Sequence, residues 1–284
     1  MLLIVTLVSS CTHIFSMEYM KGDIRYSRYY AYLGLFTFSM NGIVLADNLI
    51  MMYIFWELVG LSSYLLISFW SKKPEAAKAG NKAFVINRVG DFGFLIGLMI
   101  ILDTYNTFDF YEILHNSTGV TESTITAISL FLLLGAFGKS AQFPLFSWLP
   151  DAMEGPTPAS ALIHAATMVT AGIFMVARLS PLYDLSGYVL NIILIIGLIT
   201  AFFMGLVALV QNDIKRIIAY STISQLGYMT VALGATYYSF AIFHLLTHAF
   251  FKALLFLCAG SIIMKCHHEQ NIDKMGGLRK VMPY

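Results

Sequence analysis

Long runs of apolar residues, separated by short polar stretches, dominate the chain. A membrane-spanning helix needs about 20 mostly apolar residues, and only helices or closed barrels satisfy their backbone groups inside a bilayer. Because these runs are continuous and do not alternate between apolar and polar positions, they predict helices. We predict nine: 1–17, 29–46, 48–70, 82–102, 123–150 (interrupted), 157–179, 187–210, 215–235 and 238–264. In the polar stretch 103–122, the segment 110–116 can form an interfacial turn or two.

Composition supports this membrane interpretation and narrows the possible functions. Apolar side chains make up 58% of the 284 residues, charged ones 12%, and the mean hydropathy is +0.74. Soluble chains carry about twice this charged fraction, and a net charge of +1 gives no basic patch for nucleic acid. Cys11, Cys258 and Cys266 lack the spacing of a disulfide framework, a zinc site or an iron–sulfur site. We therefore expect no metal and no redox centre on this chain.

The charges of the connecting loops predict the orientation of the nine helices. If successive helices alternate in direction, the face reached after the first helix holds nearly all the loop cations, and the opposite face holds Arg178. Cytoplasmic or matrix loops carry an excess of lysine and arginine, so we expect the N-terminus outside and the C-terminus inside. The inner cations are Lys21, Arg25, Arg28, Lys72, Lys73, Lys78, Lys82, Lys215, Arg216, Lys265, Lys274, Arg279 and Lys280.

Several ionisable residues remain within the predicted helices. A charged group at bilayer depth costs at least about 2.5–3.5 kcal/mol, and such residues usually mark ion or proton pathways. Glu57 lies near the middle of the third segment, where a structural ion pair to another helix is the alternative. Arg88 and Asp91 lie three residues apart on one helix face, which predicts a supporting ion pair between them.

Lys139 lies deep in an apolar run and is soon followed by Pro144. Proline lacks a backbone N–H and clashes with the preceding turn, so the pattern predicts a helix broken inside the membrane with a lysine at the break. Transporters place ion sites at such breaks. A neighbouring carboxylate would stabilise the ammonium, so we expect Lys139 to pair with Glu57 and exchange a proton. The alternative is that Lys139 extends to the interface.

Histidines add candidates for proton transfer, because imidazole titrates near neutral pH. His164 lies about one turn into the sixth segment, where a hydrogen bond between helices is the alternative. His244, His248 and Lys252 recur every four residues and share one face of the ninth helix. We call these three residues the polar stripe; the spacing does not favour zinc, because a third ligand is missing. Hydroxyl and amide groups such as Ser221 and Gln225 can bridge helices or hold water.

At residues 138–172, GKSAQFPLFSWLPDAMEGPTPASALIHAATMVTAG, the chain closely resembles the antiporter-like subunits of respiratory complex I. The segments IKRIIAYSTISQLGYM, AIFHLLTHAFFKALLFLCAGS, CHHEQNIDKMGGLRK and ADNLIMMYIFWELVGLSSYLL narrow the resemblance to the chain 5 family of NADH:ubiquinone oxidoreductase. The resemblance covers nearly the whole chain.

The resemblance implies a proton-translocating subunit of the membrane arm, built from inverted repeats of five helices with a broken helix in each. It implies a leading helix and inner loop (1–28), a first repeat (29–179) broken near 139–150, the start of the second (180–264) and an inner tail (265–284). Six residues match the family's proton path and two match its supporting ion pair. They are Glu57, Lys139, His164, His244, His248 and Lys252, with Arg88 and Asp91 in support.

The same resemblance implies that NADH, FMN, the iron–sulfur clusters and ubiquinone bind to other subunits, and that this chain carries no cofactor. Family members are about twice as long, so we expect a shortened or split form whose second half comes from a partner chain. Expected partners are other membrane-arm subunits and lipid, with no nucleic acid. The aromatic-rich composition suggests the mitochondrial inner membrane; a bacterial plasma membrane is the alternative.

Two other functions fit the same residues. A monovalent cation/proton antiporter contains similar chains but lacks flavin and iron–sulfur subunits. A structural fragment of the membrane arm would use the buried charges only to lock helices together. Loss of proton transfer on changing Lys139, without loss of assembly, separates the leading hypothesis from the structural one.

Overall fold

Helices form almost the whole of this computed structural model, which describes residues 1–282 apart from the side chains of Thr118, Ala166, Lys280 and Val281. Within that range the only β-pairing consists of two isolated bridges, Asn48 with Asp109 and Asp213 with Asn271. The α-helices are α1 (Leu2–Tyr19), α2 (Tyr26–Leu45), α3 (Leu49–Ile67), α4 (Pro74–Tyr105), α5 (Phe110–Asn116), α6 (Glu122–Lys139), α7 (Trp148–Asp151), α8 (Thr157–Ala161), α9 (Met168–Arg178), α10 (Ser180–Tyr183), α11 (Gly187–Leu209), α12 (Ile214–Gly234), α13 (Tyr238–Lys265) and α14 (Leu278–Val281).

The predicted class, an all-α polytopic membrane protein, is confirmed. Seven helical segments among the described residues are long and apolar enough to cross a membrane. They are α1, α3, α4, α6, the segment Thr157–Arg178, α11 and α13. Helices α2 and α12 have 20 and 21 residues, which is enough to span a bilayer, but polar side chains lower their hydropathy. Both lie in predicted spans, and we treat them as spans.

Helix α4 is longer than its hydropathy predicted, beginning at Pro74 instead of residue 82. Proline suits the first turn of a helix, because its φ angle is preset and its missing N–H would be unpaired there. The extra turns carry Glu75 and Lys78, so they lie beyond the apolar run that hydropathy detects. Helix α5 confirms the short helix predicted at 110–116.

The predicted break after Lys139 is confirmed. Helix α6 ends at Lys139, Ala141 adopts a left-handed φ of 50°, and α7 begins at Trp148. A left-handed φ is uncommon for a residue other than glycine and strains the backbone. A second interruption was not predicted: Leu162–Ala166 form a π-helical turn between α8 and α9. Such turns often occur at functional sites.

Glycines allow α4 and α6 to pack closely at the level of Lys139. A Cβ atom added to Gly90 would lie 3.1 Å from Gly138 Cα and 3.0 Å from the Leu134 carbonyl oxygen. Small residues permit such close contact between helices in membranes. This crossing brings Asp91, the neighbour of Gly90, next to Lys139, the neighbour of Gly138. The predicted division into repeats remains a prediction.

Candidate proton-transfer site

Four charged side chains, Glu57, Arg88, Asp91 and Lys139, form two ion pairs among α3, α4 and α6; we call them the charge quartet. Lys139 Nζ donates to Asp91 Oδ2 at 3.2 Å, and both side chains are almost completely buried. Arg88 pairs with Glu57 in a less buried position. The negative charge of Glu57 also repels that of Asp91. Each cation therefore has a carboxylate partner, which such depth requires.

These partners differ from the predicted ones. The predicted pairs, Glu57 with Lys139 and Arg88 with Asp91, are wrong because of the rotation of the side chains around α3. Trp56 and Gly60 occupy the face of α3 that contacts Lys139, and the next residue, Glu57, lies about 100° around the helix. Glu57 therefore meets Arg88, which leaves Asp91 to pair with the buried lysine.

The pocket around the Lys139 ammonium is closely fitted. The end of α6, where the helix dipole favours a cation, places Lys139 beside α3. A Cβ atom added to Gly60 would lie 2.9 Å from Lys139 Nζ and 3.9 Å from Asp91 Oδ2, so this glycine makes room for the ion pair. Trp56 Nε1 donates to Asp91 Oδ1 at 2.8 Å. Asp91 is thus held by an indole and an ammonium, one on each carboxylate oxygen.

The second ion pair of the quartet lies nearer the surface of the chain. The side chains of Glu57 and Arg88 are 19% and 43% exposed, and Arg88 also stacks over Phe84 at 4.7 Å. Apolar side chains surround them on the same two helices, including the exposed Ile54 and Val85. A charged pair on an outer face at bilayer depth is costly against lipid.

Trp148 connects the break to His164. Trp148 Nε1 donates to the carbonyl of Gly138, next to Lys139, at 3.1 Å, and its ring lies 5.9 Å from the His164 ring. His164 is fully buried, and neither ring nitrogen has a hydrogen-bond partner in the described part of the chain. Buried polar groups without protein partners commonly bond ordered water. Trp148 therefore links the backbone next to Lys139 to the ring of His164.

Further buried polar atoms lack partners at the break itself. Ser140 Oγ and Gln142 Oε1 are buried without a hydrogen bond among the described residues. Both residues line a small cavity of about 10 Å³ together with Thr230 of α12. That volume is close to the space one water molecule occupies. The break can therefore hold a water molecule, which can conduct a proton where no side chain does.

The π-helical turn links His164 to the polar stripe. His248 Nδ1 bonds to the carbonyl oxygen of Ala165 at 3.1 Å, and His248 Nε2 has no partner among the described residues. The accepting carbonyl belongs to the π-helical turn Leu162–Ala166, and such turns are frequent at functional sites. The irregular backbone therefore sets the position of a histidine on a different helix.

The polar stripe itself is paired with uncharged side chains of α12. His244 Nε2 bonds to Gln225 Oε1 at 2.8 Å, and Lys252 Nζ donates to Ser221 Oγ at 2.7 Å. The rings of His244 and His248 are 6.4 Å apart. The described residues thus place His164 beside Trp148, His248 on the carbonyl that follows His164, and His244 beside His248. Their roles in proton transfer remain a prediction.

Lys215 is a buried cation that the sequence analysis assigned to an inner loop. It lies in the first turn of α12, is 2% exposed, and donates to the carbonyl oxygens of Met153 and Gly155, the latter at 2.9 Å. Its charge acts on His164. The next residue, Arg216, lies 3.8 Å from Asp151, which also pairs with Lys82 at 2.6 Å. These contacts fasten the segment after the break to α4 and α12.

Sequence patterns gave little sign of these additional residues. Lys215 follows a helix cap, Asp213, whose carboxylate accepts from the N–H groups of Lys215 and Arg216, and this position is typical of a solvated lysine. Trp56 reads as an ordinary apolar core residue. Among the described residues, no group of three or more His, Cys, Asp or Glu side chains could hold a metal.

Helices that cross a membrane, a helix broken at a buried lysine and compensated charges at bilayer depth together define a polytopic protein of the antiporter type. Residues 46–284 match the family described as "NADH:quinone oxidoreductase/Mrp antiporter, TM", and residues 1–30 match "NADH-Ubiquinone oxidoreductase (complex I), chain 5 N-terminus". The chain belongs to this NADH:quinone oxidoreductase/Mrp antiporter family.

Named relatives and one solved structure agree with that membership. The chain is 55% identical over 296 residues to NADH-quinone oxidoreductase subunit L of Neisseria meningitidis serogroup A, covering 100% of this chain and 44% of that one. It is 52% identical to NADH-ubiquinone oxidoreductase chain 5 of Metridium senile, covering 100% and 47%. The Mrp complex from Dietzia sp. DQ12-45-1b superposes with a TM-score of 0.89 and 32% identity, over 93% of this chain and 29% of that chain. This chain thus spans less than half the length of these curated relatives.

Proposed function

We propose that this chain is a proton-translocating part of the membrane arm of NADH:quinone oxidoreductase. The buried ion pair between Asp91 and Lys139, at the end of a broken helix, carries this proposal. A mobile proton needs a group that is stable in both protonation states, and an amine beside a movable counter-ion meets that need. The curated relatives are named as subunits of this oxidoreductase.

The quartet supplies a way to release that proton. Asp91 lies one helical turn from Arg88, so a small movement can transfer its charge from Lys139 toward Arg88 when Arg88 leaves Glu57. Losing its counter-ion destabilises the buried ammonium, and the proton leaves Lys139 Nζ. The ring nitrogens of His164, beside Trp148, have no partner among the described residues. Water bonded to them would carry the proton toward this histidine.

The polar stripe continues the path. His164 Nδ1 or Nε2 receives the proton, and His248, held by Ala165, passes it toward His244 and Lys252. When the ion pairs reverse, Asp91 again favours the charged form of Lys139, and Lys139 Nζ takes up a new proton from water at the break, which restores the starting state. The chain's residues hold and move protons, while the NADH, flavin, iron–sulfur and quinone chemistry would belong to other subunits.

The Glu57–Arg88 face supports another membrane-arm subunit as the partner. A neighbouring protein would shield this pair from lipid and could bias it electrically. We place the complex in the mitochondrial inner membrane, with a bacterial plasma membrane as the alternative, the N-terminus outside and the inner basic loops in the matrix or cytoplasm. A second polypeptide carrying the relatives' remaining length is part of the same proposal.

The second candidate is a subunit of a monovalent cation/proton antiporter. It is favoured by the 0.89 TM-score against the Mrp complex. Purification of the native complex separates the two candidates. Flavin and iron–sulfur subunits that accompany the chain would support the oxidoreductase, and their absence from an intact complex would support the antiporter.

Proton pumping by the assembled complex tests the proposal itself. In Lys139→Met, NADH oxidation should continue with a lower ratio of protons to electrons, because the proton-holding amine is lost. Arg178→Met is a matched control, since Arg178 donates to the Val44 carbonyl at the other end of the bundle, away from the quartet. An unchanged ratio in an assembled Lys139→Met complex would refute the assigned role.

A further inference from the structure

A cavity of about 460 Å³ opens between the ends of several helices on the side that carries the basic loops. Lys21, in the turn after α1, and Lys73, just before α4, contribute two of its cations. Lys215 of α12 and His268, which follows α13, contribute two more basic side chains. The volume falls in the range of about 300–1,000 Å³ typical of small-ligand pockets. None of these four residues belongs to the proposed proton path.

Two carboxylates also line the cavity, Asp23 and Glu154. Asp23 accepts from the Arg25 backbone N–H at 2.8 Å and from Trp70 Nε1 at 3.2 Å. Lys21 pairs with Glu18 at 3.3 Å on the exposed surface. Lys73, by contrast, has no carboxylate within ion-pair distance in the described part of the chain, and its ammonium lies over the Trp70 ring at 5.2 Å. Lys73 is therefore a lining cation without an ion-pair partner among the described residues.

The cavity wall is amphipathic. Tyr19 and Trp70 stand beside the polar groups, and Met20, Ile263 and Met264 complete the wall on the apolar side. Aromatic residues of this kind are enriched where helices pass from lipid to water. A free phosphate would use the cations and leave these apolar side chains in contact with water. A lipid would cover both.

We infer that this cavity binds the phosphate group of an anionic phospholipid, with Lys73 as the principal cation and Lys21 and His268 in support. Basic pockets between transmembrane helices on the cytoplasmic or matrix side bind anionic headgroups. The lipid would join the loops after α1 and α3 to the end of α13. This inference goes beyond the proposed function, because lipid binding can be measured in a chain that moves no proton.

Native mass spectrometry of the full chain, released from nanodiscs, tests this inference. The nanodiscs contain phosphatidylcholine alone or with phosphatidylglycerol, and a third sample contains phosphatidylcholine with inorganic phosphate. Lys73→Gln is the test variant. Lys72→Gln is its matched control, because Lys72 is an exposed lysine next in sequence that does not line the cavity.

The wild-type chain should retain phosphatidylglycerol in preference to phosphatidylcholine. Lys73→Gln should lower the affinity for phosphatidylglycerol about fivefold, which corresponds to about 1 kcal/mol for one lysine. Lys72→Gln should bind like the wild type. Equal losses in both variants, or no loss in either, would overturn the site. Binding of inorganic phosphate in the third sample with an affinity equal to that of phosphatidylglycerol would overturn the lipid as the source of the phosphate group.

Discussion

The charge quartet and the polar stripe stabilise their buried cations in different ways. Lys139 has a carboxylate partner at 3.2 Å, and Arg88 pairs with Glu57. Lys252 donates to a serine hydroxyl, and no carboxylate of the described residues lies within ion-pair distance of it. The first region therefore contains cations that are compensated by carboxylates, whereas the second holds its lysine through a hydrogen bond to a neutral hydroxyl.

This difference indicates that the two regions have different functions. Breaking a buried ion pair leaves an unpaired charge and carries a large free-energy cost, so the quartet can act as a switch between distinct states. A hydrogen bond between an ammonium and a neutral hydroxyl contributes about 1.5–3 kcal/mol, less than the cost of breaking a buried ion pair, so the stripe can exchange protons with less rearrangement. Helix α12 contacts the stripe through Ser221 and Gln225, and it contacts the segment that follows the break at Lys139 through Lys215.

The strongest test of the contrast is to remove each buried lysine. Lys139→Met leaves Asp91 buried without its counter-ion, and we expect the free energy of unfolding to fall by about 3–5 kcal/mol. Lys252→Met loses a neutral partner and should cost clearly less. Thermal unfolding in detergent measures both. Adding Asp91→Asn to Lys139→Met should recover most of the loss; equal costs for the two single variants would remove the distinction.

A smaller effect is expected where α12 holds the broken segment. Lys215→Met leaves the Met153 and Gly155 carbonyl oxygens buried without their donor, and we expect a loss of about 1–3 kcal/mol. Hydrogen exchange should rise in residues 152–160 before it rises elsewhere. Arg216→Met is the control, because its side chain is 42% exposed and its contact with Asp151 is long. If the two variants exchange alike, Lys215 does not fasten this segment.

The fit around the ammonium can be tested with a single methyl group. Gly60→Ala places a Cβ atom 2.9 Å from Lys139 Nζ, and such overpacking usually costs about 1–3 kcal/mol. Gly34→Ala, in α2, meets nothing within 4 Å and should be neutral or stabilising by up to about 1 kcal/mol. Unfolding midpoints compare the two. A neutral Gly60→Ala would mean that the ion pair is loosely held.

The smallest effect is expected from removing the hydrogen bond between Ser221 and Lys252 of the stripe. Ser221→Ala removes the hydroxyl that accepts from Lys252 and should lower stability by about 1.5 kcal/mol, with slower proton transfer through the second region. Ser261→Ala is its control, because that hydroxyl donates to the Leu257 carbonyl within the same helix. Proton uptake by reconstituted vesicles should separate the variants. Identical rates would exclude Ser221 from the path.

Hydropathy could predict the helices because lipid requires a long run of mostly apolar residues in every span. The break after Lys139 was also predictable, since Pro144 is a local signal. The π-helical turn at 162–166 carries no such signal: its sequence is apolar and compatible with a regular helix, and its distortion depends on neighbouring helices. The unusual backbone that positions His248 could therefore be found only in three dimensions.

The site residues were predictable one by one, but their partners were not. A charge in an apolar run is conspicuous in the sequence, so Glu57, Asp91 and Lys139 could be selected from position alone. Pairing depends on the rotation of each helix about its axis, and a difference of one residue turns a side chain by about 100°. Lys215 was missed for a related reason, because helix packing buries a residue that a linear pattern places in water.

Proton-to-electron stoichiometry in the Asp91→Asn/Lys139→Met double variant tests the central claim most directly. This variant removes both charges together, so the assembled complex should keep most of its stability while it loses the proton-holding pair. Membrane vesicles oxidising NADH provide the measurement, with the extent of assembly checked in the same preparation. The account predicts normal assembly with fewer protons moved per electron. A wild-type ratio in the assembled double variant would contradict it and leave the pair a structural role.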